Sequence, residues 1–261
     1  LDKVIDLQLY QIIASYIFIA ILLFIVKIRG ISREKEILIS AVRMTLQLIL
    51  TGYILVYLFN NTHPLYTIII LMIMEIFSIY NIFKRTKMKL SLSLKKIIAV
   101  SMLFGTLSSL VYFLLVVVHI SPWYDPRYFI PIAGMLIGNS MTGISLGVTK
   151  LIDEMHSQKH LIESALMLGA TPKMASKEIV DRSFDSAVLP TINSMLGIGI
   201  VFLPGMMTGQ ILSGISPLTA IKYQIAIMLG ILGSVSLTVI LFVQLGYKTF
   251  FNNDDQLIID E

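Results

Sequence analysis

Apolar runs long enough to cross a bilayer recur along this sequence, separated by short polar joints, and that alternation predicts its elements. A span needs about 20 predominantly apolar residues to traverse the hydrocarbon core. The first runs from Leu9 to Val26 and is closed by Lys27 and Arg29; Gly30-Ile31-Ser32 and Arg33-Glu34-Lys35-Glu36 then predict a tight polar loop. The second, Ile37 to Phe59, carries Arg43 and Gln47 one helical turn apart and ends in the breaker cluster Asn60-Asn61-Thr62-His63-Pro64. The third, Leu65 to Phe83, ends at Lys84-Arg85-Thr86-Lys87. A basic connector with Lys89, Lys95 and Lys96 follows, expected to lie partly as an amphipathic interfacial helix. The fourth is Ile97 to Val118, and its exit loop sets Trp123 beside Tyr124 and Tyr128, as in an aromatic belt. The fifth, Ile130 to Leu151, holds Gly134, Gly138, Gly143 and Gly147 as two small-xxx-small pairs. Leu189 to Ile211 is apolar but interrupted at Pro204-Gly205, and a seventh span covers Leu218 to Leu245. The charged tail, 248–261, is expected to fray.

One long polar interval, LIESALMLGATPKMASKEIVDRSFDSAVLP from Leu161 to Pro190, separates the fifth run from the sixth. Leu161, Ala165 and Leu168 share one helical face, Gly169 is a left-handed stop, Thr171 an N-cap and Pro172 the first residue of the next helix. A helix-turn-helix knob on one side of the bilayer is therefore predicted. It lacks a full capping box, because neither Glu nor Gln follows three residues after Thr171.

Composition turns this pattern into a class. With 56% hydrophobic and 14% charged residues, a soluble domain could not cover its surface with polar groups. The fold class is all-α polytopic membrane protein, a single transmembrane domain over 1–261 with about seven transmembrane helices. The absence of cysteine excludes disulfides, thiolate chemistry and Cys-based metal sites. A cleavable signal peptide is not expected, since the first apolar run is of spanning length and no small-residue cleavage site follows it. Charge then gives an orientation. Sixteen of the 20 Lys and Arg residues lie in the loops after spans one, three, five and seven, which places the N-terminus outside and the knob and C-terminal tail in the cytoplasm. A six-span arrangement, with 191–211 re-entrant, would instead leave that tail outside. A multi-pass protein of the cell membrane is expected, with the lipid bilayer as partner and no nucleic acid.

The chain holds no G-x-x-x-x-G-K-[ST], H-E-x-x-H, G-x-S-x-G or C-x-x-C segment, so any work it performs draws energy from elsewhere and no catalytic residue is assigned. An ionised side chain in mid-bilayer costs about 2.5–3.5 kcal/mol on insertion scales. Glu75 is therefore a candidate for a cation path or for a hydrogen bond to a neighbouring helix, while Arg43 fits a headgroup position. His156 and His160, spaced i, i+4 beside Asp153 and Glu154, are weak metal candidates, because a hydrated helix face gives the same pattern. The segment Leu203-Pro204-Gly205-Met206-Met207-Thr208-Gly209 breaks a span, as happens where a protein lines a pathway. Met206 and Met207, with Met135, Met141 and Met195 in neighbouring spans, offer soft thioethers suited to Cu(I) more than Fe(II). Gly205 and Gly209 equally fit a helix-contact spacing. Glu75, Met135, Asn139, Met141, Pro204, Gly205, Met206 and Met207 make up the candidate translocation path.

Glu163-Ser164-Ala165, Leu168-Gly169-Ala170 and Leu189-Pro190 resemble the E-A-A…G…L-P loop by which ABC-transporter permeases engage their ATPase. PIAGMLIGNSMTG (131–143), LGATPKMAS (168–176), LPGMMTGQILSGISPLTAIKYQI (203–225) and Arg43-x-x-x-Gln47 look like the FetB-type iron-export permease family over nearly the whole chain. The sequence departs from the general permease pattern in Ser164, where a second alanine is usual, and in a longer interval before Leu189-Pro190. The resemblance implies a non-catalytic membrane subunit that pairs with a second copy of itself and with two copies of an ABC ATP-binding subunit. ATP and Mg would be bound on that partner, with no cofactor on this chain. It further implies a coupling region at about 153–190. Leu166, Met167 and Leu168 would be apolar contacts, Glu163 a polar one and Gly169 a point of close backbone approach, with Ala165, Ala170 and Pro172 in the same coupling set. Export of iron or a related metal from the cytoplasm is the implied activity. An organic cargo is the alternative within the class, since similar plant permeases are linked to sugar-nucleotide transport and aluminium tolerance. A membrane enzyme or an ATPase-independent channel is the rival outside it.

Overall fold

The computed structural model describes residues 6–86 and 90–258 and contains helices and no β-strand among them. The first and last few residues of the expected tails, and the centre of the basic connector at 87–89, lie outside the described residues. The chain divides into two compact units, 1–62 with 212–214, and 63–211 with 215–261.

In the smaller unit, α1 (Leu9–Ser15) and α2 (Ile17–Ile28) form one apolar rod jointed at Tyr16, and α3 (Glu34–Asn60) runs back along α2. The connecting loop turns through Gly30 at φ +65° and is held by an Arg33–Glu36 ion pair at 2.8 Å. Tyr16 and Thr45 share a hydroxyl hydrogen bond that ties the α1–α2 joint to α3. Arg43 is half-buried and Gln47 exposed on α3. Nearly all apolar side chains of these helices face outward, the arrangement expected where lipid is the solvent.

The larger unit is built from α4 (Pro64–Arg85), α5 (Leu92–Tyr112, continued by a π-helical turn Phe113–Val118) and α6 (Pro126–Ser157). After these come the short α7 (Lys159–Met167) and α8 (Pro172–Ala175), then α9 (Lys177–Gly197), α10 (Gly205–Leu212) and α11 (Pro217–Gly246). Four of the long helices, α4, α5, α6 and α11, start where the sequence offers a cap. His63, Ser91, Asp125 and Ser216 accept hydrogen bonds from first-turn N–H groups, and Pro64, Pro126 and Pro217 occupy first positions. The core lies where α11 packs on α5, α6 and α9, with α4 against α6. Polar groups inside it pair across helices: Ser140 with Ser234 at 3.0 Å between α6 and α11, and Thr106 donating to Glu75 between α5 and α4.

Among the described residues six helices are long and apolar enough to span: Leu9–Ile28, Glu34–Asn60, Pro64–Arg85, Leu92–Val118, Pro126–Ser157 and Pro217–Phe250. The segment expected as a sixth span is divided. The first half of α9 carries Lys177, Glu178, Asp181, Arg182 and Asp185, so its apolar part is only about 12 residues or 18 Å long, short of a 30 Å hydrocarbon core. The helix then stops at Gly197, seven residues before the proline that the sequence suggested as the break. A reverse turn at 198–202, closed by Gly199 N–H to the Phe202 carbonyl at 3.0 Å, exposes Ile200 and Val201 before α10 begins.

The C-terminal tail also differs from expectation as far as Ile258. Tyr247 and Phe250 are buried, Phe251 pairs with Leu257, and the Asn252 side chain closes the intervening turn. The tail's own apolar residues account for this, since Leu257 packs against the core. Of the expected glycine pairs, only Gly143 and Gly147 are buried, facing α9 and α11; Gly138, Gly205 and Gly209 have nothing within 4 Å of a Cβ position.

Candidate functional site

The knob grows directly out of α6. At 32 residues that helix is about 48 Å long, so it outruns a bilayer core and carries Lys150, Asp153 and Glu154 in its last turns. Lys150 pairs with the largely buried Glu154 at 2.8 Å, and the chain bends at Gln158 into α7. α7 ends in a Schellman motif: Ala170 N–H reaches the Ala165 carbonyl at 3.0 Å and Gly169 N–H the Leu166 carbonyl at 2.9 Å. Gly169 takes φ +89°, with nothing within 4 Å of its Cβ position, so the glycine is required by backbone conformation and not by crowding. Thr171 then caps α8 by accepting from Met174 N–H, Pro172 leads that helix, and the Ser176 hydroxyl donates to the Pro172 carbonyl at 2.7 Å.

The expected turn chemistry is thus present, but the buried face is shifted. Ile162 is 1% exposed and Leu166 packs against the core, one turn apart, whereas Leu161 points outward. Met167 is 86% exposed and Leu168 89%, with Met174 beside them in sequence at the next helix, also exposed. The tip of the knob therefore presents bare apolar side chains next to polar ones, including Glu163, whose carboxylate lies 3.8 Å from His160 Nδ1. Ala165, Ala170 and Pro172 sit within this turn, Ala165 and Ala170 half-buried. His156 and His160 are both exposed and fall on successive helices on either side of Gln158. Among the described residues no group of three or more His, Asp or Glu side chains could hold a metal ion.

The second region is a partly open cavity of about 290 Å³ lined by α6, α9, the 198–204 turn, α10 and α11. Met135, Asn139, Pro204, Gly205 and Met206 of the expected path line it, together with Thr142, Pro190, Thr191, Ser194, Gln224 and Met228. A neighbouring cavity of about 390 Å³ shares Ile198, Gln224 and Met228 with the first and is also lined by Met195 and Met207. Glu75 and Met141 are not in either lining. Glu75 lies 2% exposed between α4 and α5 with Thr106 as its hydrogen-bond donor, and Met141 packs against the core. Gln224 went unrecognised in the sequence reading, although an amide inside an apolar run stands out as Glu75 does; it is 5% exposed and its Oε1 has no hydrogen-bond partner. Thr191 directly follows Pro190 and Ser194 lies one turn past it, and neither gives any further sequence signal.

Residues 9–251 match the profile of the uncharacterised protein family UPF0014. The chain belongs to that family. Among relatives of this UPF0014 chain is the membrane protein YjkA of Bacillus subtilis, 34% identical over 243 residues, covering 93% of this chain and 95% of the relative. The probable iron export permease protein FetB of Escherichia coli is 36% identical over 229 residues, or 87% of this chain and 86% of its own length. The protein ALUMINUM SENSITIVE 3 of Arabidopsis thaliana is 36% identical over 230 residues, 88% and 82% respectively. The expected resemblance to FetB-type permeases is borne out along most of the chain. No solved structure matches it.

Proposed function

We propose that this chain is the membrane-spanning permease subunit of an ABC transporter that exports iron or a related metal ion from the cytoplasm. The observation that carries the reading is the knob: two large apolar side chains, Met167 and Leu168, held almost fully exposed at the tip of a hairpin that a Schellman turn and an N-cap make rigid. Exposed apolar anchors on a preformed turn suit a groove in a partner better than they suit water. The E. coli relative, named as a probable iron export permease protein, supplies the class of cargo.

The connectivity suggests how coupling would run. α6 leads into the knob and α9 leads out of it, and the far parts of the same two helices line the cavity through Asn139 and Thr191. From knob to cavity the levers are about 20–30 Å long at 1.5 Å per residue. Two copies of an ATP-binding subunit, carrying ATP and Mg, would grip the knobs of two copies of this chain. Their closure on ATP would draw the knobs together and tilt α6 and α9, changing access to the cavity without any chemistry on this chain. The cavity also bears on the cargo. It is at the lower edge of the roughly 300–1,000 Å³ of sites for drug-sized molecules. Among the described residues that line it none is charged, a poor match for the diphosphate of a sugar nucleotide.

Docking is tested by co-purification with an ATP-binding subunit encoded beside this gene. Met167→Asp and Leu168→Asp, both at exposed positions, are expected to fold and to lose the complex and the stimulated ATP hydrolysis. Unchanged complex formation would remove the coupling role. Cellular iron, copper and manganese measured after deletion of the gene test the cargo, and unchanged contents under metal stress would shift the reading to an organic one.

A further inference from the structure

An open groove of about 580 Å³ runs between α5 and α11, apart from the knob. Small residues at Ala226, Gly230 and Gly233 leave the hollow on α11, and Tyr112 and Val117, both exposed, line it from α5 and its π-helical turn. The two helices are antiparallel here: a Cβ on Gly105 would meet Thr238, and one on Gly230 would lie 2.8 Å from the Phe113 ring. Going back along α11 from Gly230 to Lys222 therefore leads towards the end of α5. The exit loop there carries Trp123 and Tyr124, side chains that suit the level of lipid head groups. Ser109 and Ser234 stand at the deep end. Ser109 donates to the Gly105 carbonyl at 2.8 Å and Ser234 shares a hydrogen bond with Ser140 at 3.0 Å, so neither calls for a polar occupant.

We propose that this groove binds an anionic glycerophospholipid, one acyl chain lying between α5 and α11 and the phosphate against the Lys222 ammonium. Lys222 is the one charged residue among the described residues that line the groove. It is exposed and takes part in no ion pair among the described residues. Neither α5 with its π-helical turn nor α11 contains an acid that could neutralise it. A cation at one end of an otherwise uncharged groove is complementary to a molecule that is anionic at its head and hydrocarbon along the rest. The reach fits as well. Lys222 to Ser234 covers about 18 Å of α11, close to the roughly 15 Å that one leaflet contributes to the hydrocarbon core. Lipid tails are as apolar as the groove walls, so burial alone gives a chain little reason to stay. Selection therefore falls to the charge at Lys222, and retention to the fit of a chain along the hollow.

The test uses the full chain purified in detergent and exchanged into mixed micelles of phosphatidylglycerol or phosphatidylcholine, with retained lipid counted by native mass spectrometry. One phosphatidylglycerol per chain is expected to be held about fivefold more tightly than phosphatidylcholine, the worth of one lysine beside an anionic lipid. Lys222→Gln should remove that preference and leave phosphatidylcholine retention as it was. Gly233→Leu, at a position with nothing within 4 Å of its Cβ, fills the deep end of the groove and should lower retention of both lipids. Lys248→Gln, an exposed lysine just past the other end of α11, should behave as the unaltered chain does. The Tm of each variant reports its folding, and the comparison of the two lipids on the unaltered chain needs no variant. Equal retention of the two lipids by the unaltered chain, or a preference untouched by Lys222→Gln, would overturn the proposal. So would conversion of a dimer to monomer by Gly233→Leu with lipid retention unchanged, which would assign the groove to a second copy of this chain.

Discussion

Glu75 shows how a single buried acid can be held in a span. Thr106, 31 residues away on α5, donates to one carboxyl oxygen, while Oε2 has no partner. Removing the donor leaves a desolvated group unpaired, so Thr106→Val is expected to destabilise the chain by about 1–3 kcal/mol, read as a lowered Tm in detergent. Glu75→Gln keeps an oxygen for the Thr106 hydroxyl and should stay closer to the unaltered Tm. If that variant keeps its stability and loses transport, Glu75 belongs to the path despite lying outside both cavities. The acid was legible in the sequence because charge in an apolar run is conspicuous; its partner was not, because nothing local ties position 75 to position 106. Gln224 escaped for the complementary reason: an uncharged amide costs less to insert, so it disturbs the apolar pattern less than Glu75 does.

Helix contacts set the next scale. Gly105 of α5 meets α11 so closely that a Cβ there would lie 2.7 Å from the Thr238 Cα, a backbone atom that cannot swing aside. Gly105→Ala is therefore expected to cost about 1–3 kcal/mol through overpacking, measured as a lowered Tm. Gly138→Ala meets open space and should be neutral or stabilising by up to about 1 kcal/mol, since Ala is the better helix former. Nothing local ranks these glycines: Gly105 stands between Ser101 and Ser109 in a small-xxx-small run, and Gly138 belonged to an expected pair, so only the packing separates them. The knob was more legible, because left-handed Gly169, capping Thr171 and leading Pro172 act within a few residues of one another. Which face packs inward was not legible: Ile162 is buried, while Leu161 and Leu168 of the face read from the sequence are exposed. Leu161 and Ile162 are equally apolar, so only tertiary packing distinguishes them.

The number of membrane crossings is a property of the whole molecule and depends on one element. Among the described residues six helices are long and apolar enough to span, and α9 with its turn and α10 either completes a seventh crossing or dips in and returns. The two arrangements put the knob and the C-terminal segment on the same side or on opposite sides. Composition makes the question directly accessible, because the chain has no cysteine and every introduced thiol reports alone. Asn61→Cys, Met174→Cys and Asn253→Cys lie at exposed positions in three different joints. A membrane-impermeant maleimide applied to intact cells should label position 61, whereas position 174 should react only after permeabilisation, since basic residues flank the knob and positive loops stay inside. Position 253 then decides. Labelling only after permeabilisation means that the broken element crosses and both knob and tail face the cytoplasm. Labelling in intact cells means a re-entrant element, with the turn at Ile200 and Val201 pausing inside the membrane. Labelling of position 174 from outside would defeat the charge-based orientation and, with it, access of a cytoplasmic ATPase to the knob.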